Sequence, residues 1–279
     1  MPQTICLNQS PLGKAAEYHN HYNPSLLFPI SRREARCQIG IDDALPFYGI
    51  DLWTAYEISW LNNRGKPHIA LAHFKIPCTS PNLIESKSLK LYLNSLNNTK
   101  FESSDKVRST IEKDLNNAVG TQVDVEIITP ERFSSEVIRA FEGTNLDNLD
   151  TSCNCYTPSP ELLRIETRNK TVQEILVSDL LKSNCPVTGQ PDWGSIQISY
   201  KGAQINHESL LHYIVSFRDQ NEFHEQCIER IFTDILRECR PDELTVFARY
   251  TRRGGLDINP WRSNAANAQE PDFSRHARQ

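Results

Sequence analysis

Leu52-Trp53-Thr54-Ala55-Tyr56-Glu57-Ile58-Ser59-Trp60 is the first sharp pattern along the chain. Leu52, Thr54, Tyr56, Ile58 and Trp60 alternate, which predicts a half-buried strand. Asn62-Asn63-Arg64-Gly65 supplies turn chemistry, and Ile69 to Ile76 reads as the second strand of a hairpin. Downstream, the pattern predicts a helix from Asn82 to about Asn97. A second helix carries Val107, Ile111, Leu115 and Ala118 at helical spacing. Val123, Val125 and Ile127 then alternate again. The first half therefore reads β-β-α-α-β.

The second half repeats that order. Thr171 to Asp179 and Trp193 to Tyr200 suggest strands, the latter with Ile196, Ile198 and Tyr200 on one face. Asn206 is placed to cap a helix carrying Leu210, Leu211, Ile214 and Phe217. Phe223 to Cys239 reads as a helix with Ile228, Ile231, Ile235 and Cys239 along one stripe. Leu244, Val246, Ala248 and Tyr250 close the pattern as a strand. The halves also align weakly. Leu91-Tyr92-Leu93-Asn94-Ser95-Leu96 faces His212-Tyr213-Ile214-Val215-Ser216-Phe217, Ile111 meets Phe232 and Leu115 meets Leu236. This suggests two tandem copies of one small α+β unit, against convergent architecture as the alternative. The expected organisation is an N-terminal extension (1–45), a first module (46–130), a connector rich in Pro, Asn and Asp (131–170), a second module (171–262) and a C-terminal tail (263–279).

Composition excludes several classes. The chain of 279 residues has a net charge of −5, without the basic face of a duplex nucleic-acid binder. No segment approaches the roughly 18 apolar residues of a membrane helix. Met1 to Lys14 lacks a basic start followed by an apolar run, so a cytoplasmic protein with eight thiols is expected. Cys153-x-Cys155 is the one close cysteine pair and has no matching His or Cys pair nearby, so no metal is expected.

Four segments carry residues suited to chemistry. Ser183-Asn184-Cys185-Pro186 and Gln190-Pro191-Asp192-Trp193-Gly194 flank a loop between two strands. A thiol on the tip of such a loop can be exposed and activated, and a carboxyl beside Trp193 can be kept protonated by apolar surroundings and act as an acid. The ordinary alternative is a buried small hydrophobe and a turn residue. Glu222-Phe223-His224-Glu225 opens a helix, where acids also complement the helix dipole; Ile228 stands where HExxH needs a second histidine. Ile84-Glu85-Ser86-Lys87-Ser88-Leu89-Lys90-Leu91-Tyr92 offers hydroxyls and two lysines for a phosphate, or a solvated helix face. Arg249-Tyr250-Thr251-Arg252-Arg253-Gly254-Gly255 runs arginines into glycines after a strand. Neither GxGxxG nor GxxxxGK[ST] occurs at a strand–helix junction, so a nicotinamide cofactor would be bound some other way.

Together these segments resemble the NADPH-dependent 7-cyano-7-deazaguanine reductases of queuosine biosynthesis, in their long two-module form, from about Asn23 to Arg262. Glu85 to Tyr92 fits the family pattern E-[SL]-K-[SA]-h-K-[LY]-[YFW] at every position. The resemblance implies a tunnelling fold: two ferredoxin-like β-β-α-α-β modules with antiparallel sheets, paired as a homodimer through the sheets. It implies Cys185 as nucleophile, Asp192 as general acid, and His224 assisting proton transfer and touching substrate. Glu225 and Glu85 would hold the deazaguanine ring, lined by Ile84 and Ser86. Ser86, Lys87, Arg253 and Gly254 would hold NADPH. The implied course runs from a Cys185 thioimide through a thiohemiaminal and an imine to the amine, using two hydrides. A hydrolase working through the same thioimide and a non-catalytic purine- or pterin-binding module are the alternatives.

Overall fold

The computed structural model describes residues 20–42 and 44–279, apart from the Arg168 side chain. The readings of Met1 to Lys14 and of Cys6 lie outside these residues. The chain divides into two units. One takes the described residues up to Glu34 together with Asp51–Val137 and Arg252–Asp257; the other takes Ala35–Ile50, Ile138–Thr251 and Ile258–Gln279.

The first unit holds strands β1 (Pro29–Ser31), most of β2 (Tyr48–Leu61), β3 (Pro67–Pro77), β4 (Asn82–Ile84) and β5 (Asp124–Ile128). Helix α1 (Arg33–Gln38) runs out of it, and α2 (Ser86–Ser95) and α3 (Ser104–Val119) lie within it. The order predicted from periodicity is present, with three differences. First, β2 alternates only from Tyr56 onward; Ile50 to Ala55 are buried on both faces. Second, the predicted helix from Asn82 begins instead at Ser86. Asn82 to Ile84 are extended because they pair antiparallel with Ser31 to Pro29, and no local pattern announces a partner that far away. Third, the region before residue 46, expected only as an N-terminal extension, carries β1 and α1.

Between β2 and β3 the Asn62 side chain accepts from the amides of Arg64 and Lys66, and Gly65 takes φ +80°. That is a side-chain-stabilised turn at the position where the sequence predicted one. Helix α3 is closed at both ends: Ser103 accepts from Lys106 N, and Gly120 ends it at φ +80°. Its inward residues Val107, Ile111, Leu115 and Val119 are inaccessible to solvent, as are Phe74 and Leu89.

The second unit holds β6 (Thr144–Asn145), β7 (Ile165–Asn184), β8 (Pro191–Ile205), β9 (Glu243–Tyr250) and most of β10 (Leu256–Ser263), in sheet order β10-β9-β8-β7-β6. Among the described strand pairs of this unit, the two-residue β6–β7 pairing is parallel and the β7–β8, β8–β9 and β9–β10 pairings are antiparallel. Helices α4 (His207–Val215) and α5 (His224–Cys239) cover one face. Ile196, Ile198 and Tyr200 are buried while Gln197 and Ser199 between them are not, as alternation predicted. Asn206 caps α4 by accepting from Ser209 N at 2.8 Å. Phe217 lies past the end of α4, in a short 3-10 turn. Strand β10 had no predicted counterpart. It is buried along its whole length yet carries Asp257, Asn259, Pro260, Arg262 and Ser263, so it shows neither alternation nor an apolar run.

The weak alignment of the halves has a structural counterpart. Tyr92 Oη donates to Asp114 Oδ2 at 2.7 Å, and Tyr213 Oη donates to Asp234 Oδ2 at 2.7 Å. Ser95 Oγ caps the Tyr92 carbonyl and Ser216 Oγ the Tyr213 carbonyl, each at 2.6 Å. Burial, reinforced by the neighbouring carboxylate, pushes both phenols well above their ordinary range, so each stays a donor.

The second unit also encloses a charged cluster. Glu229 on α5 accepts from Arg36 Nε (2.8 Å) and Nη2 (2.7 Å), and from Arg262 Nη2 (2.8 Å). All three side chains are buried, and Arg262 also donates to the carbonyls of Ile50 and Trp261.

Candidate active site

The second unit gathers Cys185, Asp192, His224 and Glu225. Strands β7 and β8 pair Ser183 with Asp192 and Asn184 with Pro191. The ladder continues one step further, because Cys185 N donates to Gln190 O at 2.9 Å. Cys185 is thus the base of the loop rather than its tip, diagonal to Asp192 on the same face. Gly189 N returns to Cys185 O at 3.0 Å with φ +67°, closing a tight loop. The sequence allowed either an exposed thiol or a buried small hydrophobe; Cys185 is 1% exposed, as in the second reading.

A second connection brings α5 to this point. Asn184 N donates to Gln220 O (2.8 Å) and Glu222 N to Asn184 O (3.1 Å), a short parallel bridge between Asn184 and Asn221. The residue next to Cys185 is therefore fastened three positions before His224. The amide of Phe223 donates to Gln226 Oε1, which fixes the helix start. His224 Nε2 then lies 3.5 Å from Asp192 Oδ2, with both side chains buried. That is long for a hydrogen bond and close for an ion pair when the imidazole is protonated. Glu225 follows, 2% exposed, in the first turn of α5.

Trp193, next to Asp192 in the sequence, does not supply the apolar surroundings expected for the aspartate's carboxyl. Adjacent strand residues face opposite ways, so Trp193 is 40% exposed, with the Arg218 guanidinium 5.7 Å from its ring. His224 covers the carboxyl instead. Tyr250, read from the sequence as part of the closing strand and not as a site residue, stacks its ring on His224 at 3.8 Å and 5° from parallel. Register sets up the stack: Gly194 pairs with Tyr250, and its missing side chain leaves room, since a Cβ there would stand 3.2 Å from Tyr250 Cε1.

The first unit gathers the other predicted residues: Ile84, Glu85, Ser86, Lys87, Arg253 and Gly254. Glu85 is the N-cap of α2. Its carboxylate accepts from Lys87 N at 2.7 Å and Ser88 N at 2.8 Å, and it is fully buried beside buried Ile84. The first amides of α2 are thereby taken, so Ser86 and Lys87 would reach an anion with side chains rather than with a free helix end. Lys90 pairs with Glu57. The glycine pair has a structural task. Arg253 and Leu256 exchange both backbone hydrogen bonds around Gly254 (φ +62°) and Gly255 (φ +77°), the geometry of a two-residue type I′ hairpin. A Cβ on Gly255 would collide with the Glu57 carboxyl at 2.6 Å, whereas around Gly254 there is open space. The Arg252 guanidinium lies 4.5 Å over the Tyr56 ring.

The mixed α+β fold with antiparallel sheets agrees with the two family models that match the chain. One, described as nitrile reductase, 7-cyano-7-deazaguanine-reductase N-term, matches residues 18–127; another, described as QueF-like protein, matches residues 191–269. The chain belongs to the 7-cyano-7-deazaguanine reductase family, whose members are oxidoreductases. A relative from Polaromonas sp. (strain JS666) is 57% identical over 270 residues, covering 97% of this chain and 98% of the relative. One from Albidiferax ferrireducens is 55% identical over 284 residues, with the same coverage. One from Bordetella avium is 55% identical over 273 residues, covering 98% and 99%. Each of the three is named NADPH-dependent 7-cyano-7-deazaguanine reductase. The resemblance in Glu85–Tyr92 thus pointed to the right family. Among the described residues, no helix is long and apolar enough to cross a membrane.

Proposed function

We propose that this chain reduces 7-cyano-7-deazaguanine to 7-aminomethyl-7-deazaguanine with two NADPH, in the biosynthesis of the tRNA nucleoside queuosine, through a covalent adduct on Cys185. The observation that carries the reading is the convergence of Cys185, Asp192 and His224 through the β7–β8 register and the Asn184–Asn221 bridge.

The residues suit a nitrile, whose carbon is a modest electrophile. The Cys185 sulfur bonds to that carbon and one C–N π bond opens, giving a thioimide. The nitrogen takes a proton from Asp192, and the proton leaving the thiol restores the Asp192–His224 pair, so the thiol's proton ends on the substrate. NADPH, when bound, supplies the hydrides. Each reduction also needs a proton, which the Asp192–His224 pair can hold and pass. Burial of Cys185 excludes water that would hydrolyse the intermediates. In the second unit Glu225 is the carboxylate assigned to the N–H edge of the deazaguanine, with His224 as a further contact; in the first unit the assignment falls on Glu85, in addition to its capping of α2, and on its neighbours Ile84 and Ser86.

The first unit suits a phosphorylated dinucleotide. Lys87 and Arg253 bring cations, Ser86 a hydroxyl, and Gly254 a bare backbone with open space around it. The equivalent Tyr92–Asp114 and Tyr213–Asp234 pairs support two tandem ferredoxin-like modules of the tunnelling fold. Large apolar side chains left exposed on β7 and β8, Ile175, Leu180 and Trp193, support a homodimer paired through its sheets. The cytoplasm fits a chemistry that needs Cys185 reduced.

The test is incubation with 7-cyano-7-deazaguanine, reading intact mass and NADPH absorbance. The chain should gain the mass of one substrate on Cys185 and consume NADPH only when substrate is present. The Cys185→Ala variant should stay folded and do neither; NADPH consumption by that variant overturns the mechanism. An adduct that turns over to a carboxylate without NADPH loss would make the enzyme a hydrolase.

A further inference from the structure

We infer that Gln279, with Arg278 beside it, is a positioning residue that sets His224 through Tyr250; the inference rests on the reading in which His224 works beside Asp192. Gln279 is buried, and both the nitrogen and the oxygen of its side-chain amide are hydrogen-bonded. Its Nε2 donates to Tyr250 O at 3.0 Å and to Asn259 Oδ1 at 2.8 Å, while its Oε1 accepts from His276 N at 2.8 Å. Asn259 Oδ1 in turn accepts from Tyr250 N at 3.1 Å. Both backbone polar groups of Tyr250 are therefore held by this pair of side-chain amides. Tyr250 is the last residue of β9, where the ladder no longer supplies those partners on the β10 side, and its ring is the surface on which His224 lies.

Arg278 fastens the opposite strand. Its Nη2 donates to Asp179 O (2.8 Å), Gly194 O (3.3 Å) and Ser195 Oγ (3.2 Å). Gly194 is the residue that pairs with Tyr250. Two consecutive side chains thus clasp the Gly194–Tyr250 pair from both strands, and that pair fixes the plane of the imidazole. The segment carrying them is itself anchored. Arg139 N donates to Arg275 O at 2.9 Å, and Arg249 Nη2 donates to Ser274 Oγ at 3.1 Å. Neither Gln279 nor Arg278 is among the residues assigned to the substrate.

Gln279→Glu is nearly isosteric, but it turns a two-donor group into an acceptor facing two oxygens. Gln279→Met keeps the length and removes the donors without adding charge. In both variants kcat for nitrile reduction should fall about tenfold, the scale of one or two net hydrogen bonds lost from the brace. KM for 7-cyano-7-deazaguanine should stay within about twofold. The pH profile of kcat and the ring resonances of His224 should both shift. A folded Gln279→Met protein with wild-type kcat and pH profile overturns the inference. So does a loss of activity in proportion to lost folded protein, with the pH profile and His224 resonances unmoved. If the wild-type protein reduces no nitrile, the functional reading fails instead, and the His224 resonances still decide whether Gln279 governs that ring.

Discussion

The Tyr250 ring lies flat on the His224 imidazole, 3.8 Å between centroids. A histidine held on one face by a fully buried ring and facing Asp192 at 3.5 Å has little rotational freedom left. Its orientation is built by the sheet, not by α5 alone.

Gly194→Ala tests that construction. The added methyl would press on Tyr250 Cε1 and on Leu181 Cδ2, at 3.2 and 3.3 Å. The ring must yield by a few tenths of an ångström, and overpacking of this kind costs about 1–3 kcal/mol. Urea unfolding should show that loss, and kcat should fall more than KM rises. An unchanged kcat in a folded variant would separate the stack from catalysis.

Asp192→Asn keeps the shape of the side chain and removes its acidity. Adduct formation or turnover should slow by about 10²–10⁴-fold if the carboxyl is the proton donor. Pre-steady-state absorbance would resolve the step. A change confined to substrate affinity would assign Asp192 to binding.

Glu225→Ala should weaken binding of the deazaguanine while leaving the Cys185 thiol free to react with a small alkylating agent. A carboxylate accepting two N–H bonds from a planar base is lost at a cost of about 10²-fold or more in affinity. Titration calorimetry with the Cys185→Ala background isolates binding from chemistry; unchanged affinity would remove Glu225 from the base site.

Glu229→Ala strands two buried guanidinium groups, Arg36 and Arg262. Breaking a buried ion cluster by deleting one partner costs about 3–5 kcal/mol. The unfolding midpoint in urea should drop accordingly, with m unchanged. Substituting all three residues with apolar ones should recover much of the loss.

Two buried histidines, His73 and His276, make stability depend on pH, and the His276 share can be isolated by substitution. Burial, aided by the Arg249 and Arg278 charges, lowers the pKa of His276 to about 4 from the ordinary 6.5, against the opposing Asp179. The folded state holds it neutral, so the unfolded chain binds the proton first. Its contribution is fully present above pH 6.5 and is lost as the pH falls toward 4. The thermal midpoint should therefore decline across that window, and His276→Phe should flatten the decline. An identical slope in the variant would place the titration elsewhere.

The periodic elements were legible because their signal is local. The α3 stripe, the Asn206 cap and the β8 alternation each follow from a dozen neighbouring residues. The β10 strand was not, since a strand buried on both faces with Asp257, Asn259 and Arg262 depends on partners elsewhere in the chain. The start of α2 was misplaced for the same reason: Leu83 is extended because Ile30 pairs with it. At the site, Cys185, Asp192 and His224 stood out by residue type and loop context. Tyr250 and Gln279 did not. One reads as core alternation and the other as tail, and their roles arise from the register of Gly194 against Tyr250.

The hairpin tip of Arg253 to Leu256 has a bearing on ligand capture. Its two glycines settle into a turn that closes on itself, and one of them sits hard against Glu57. The conformational freedom of that corner is spent when the protein folds. If Arg253 and Gly254 hold NADPH as proposed, the dinucleotide would meet a mount already in shape, and little of the attraction between guanidinium and phosphate would be diverted to freezing a floppy arm.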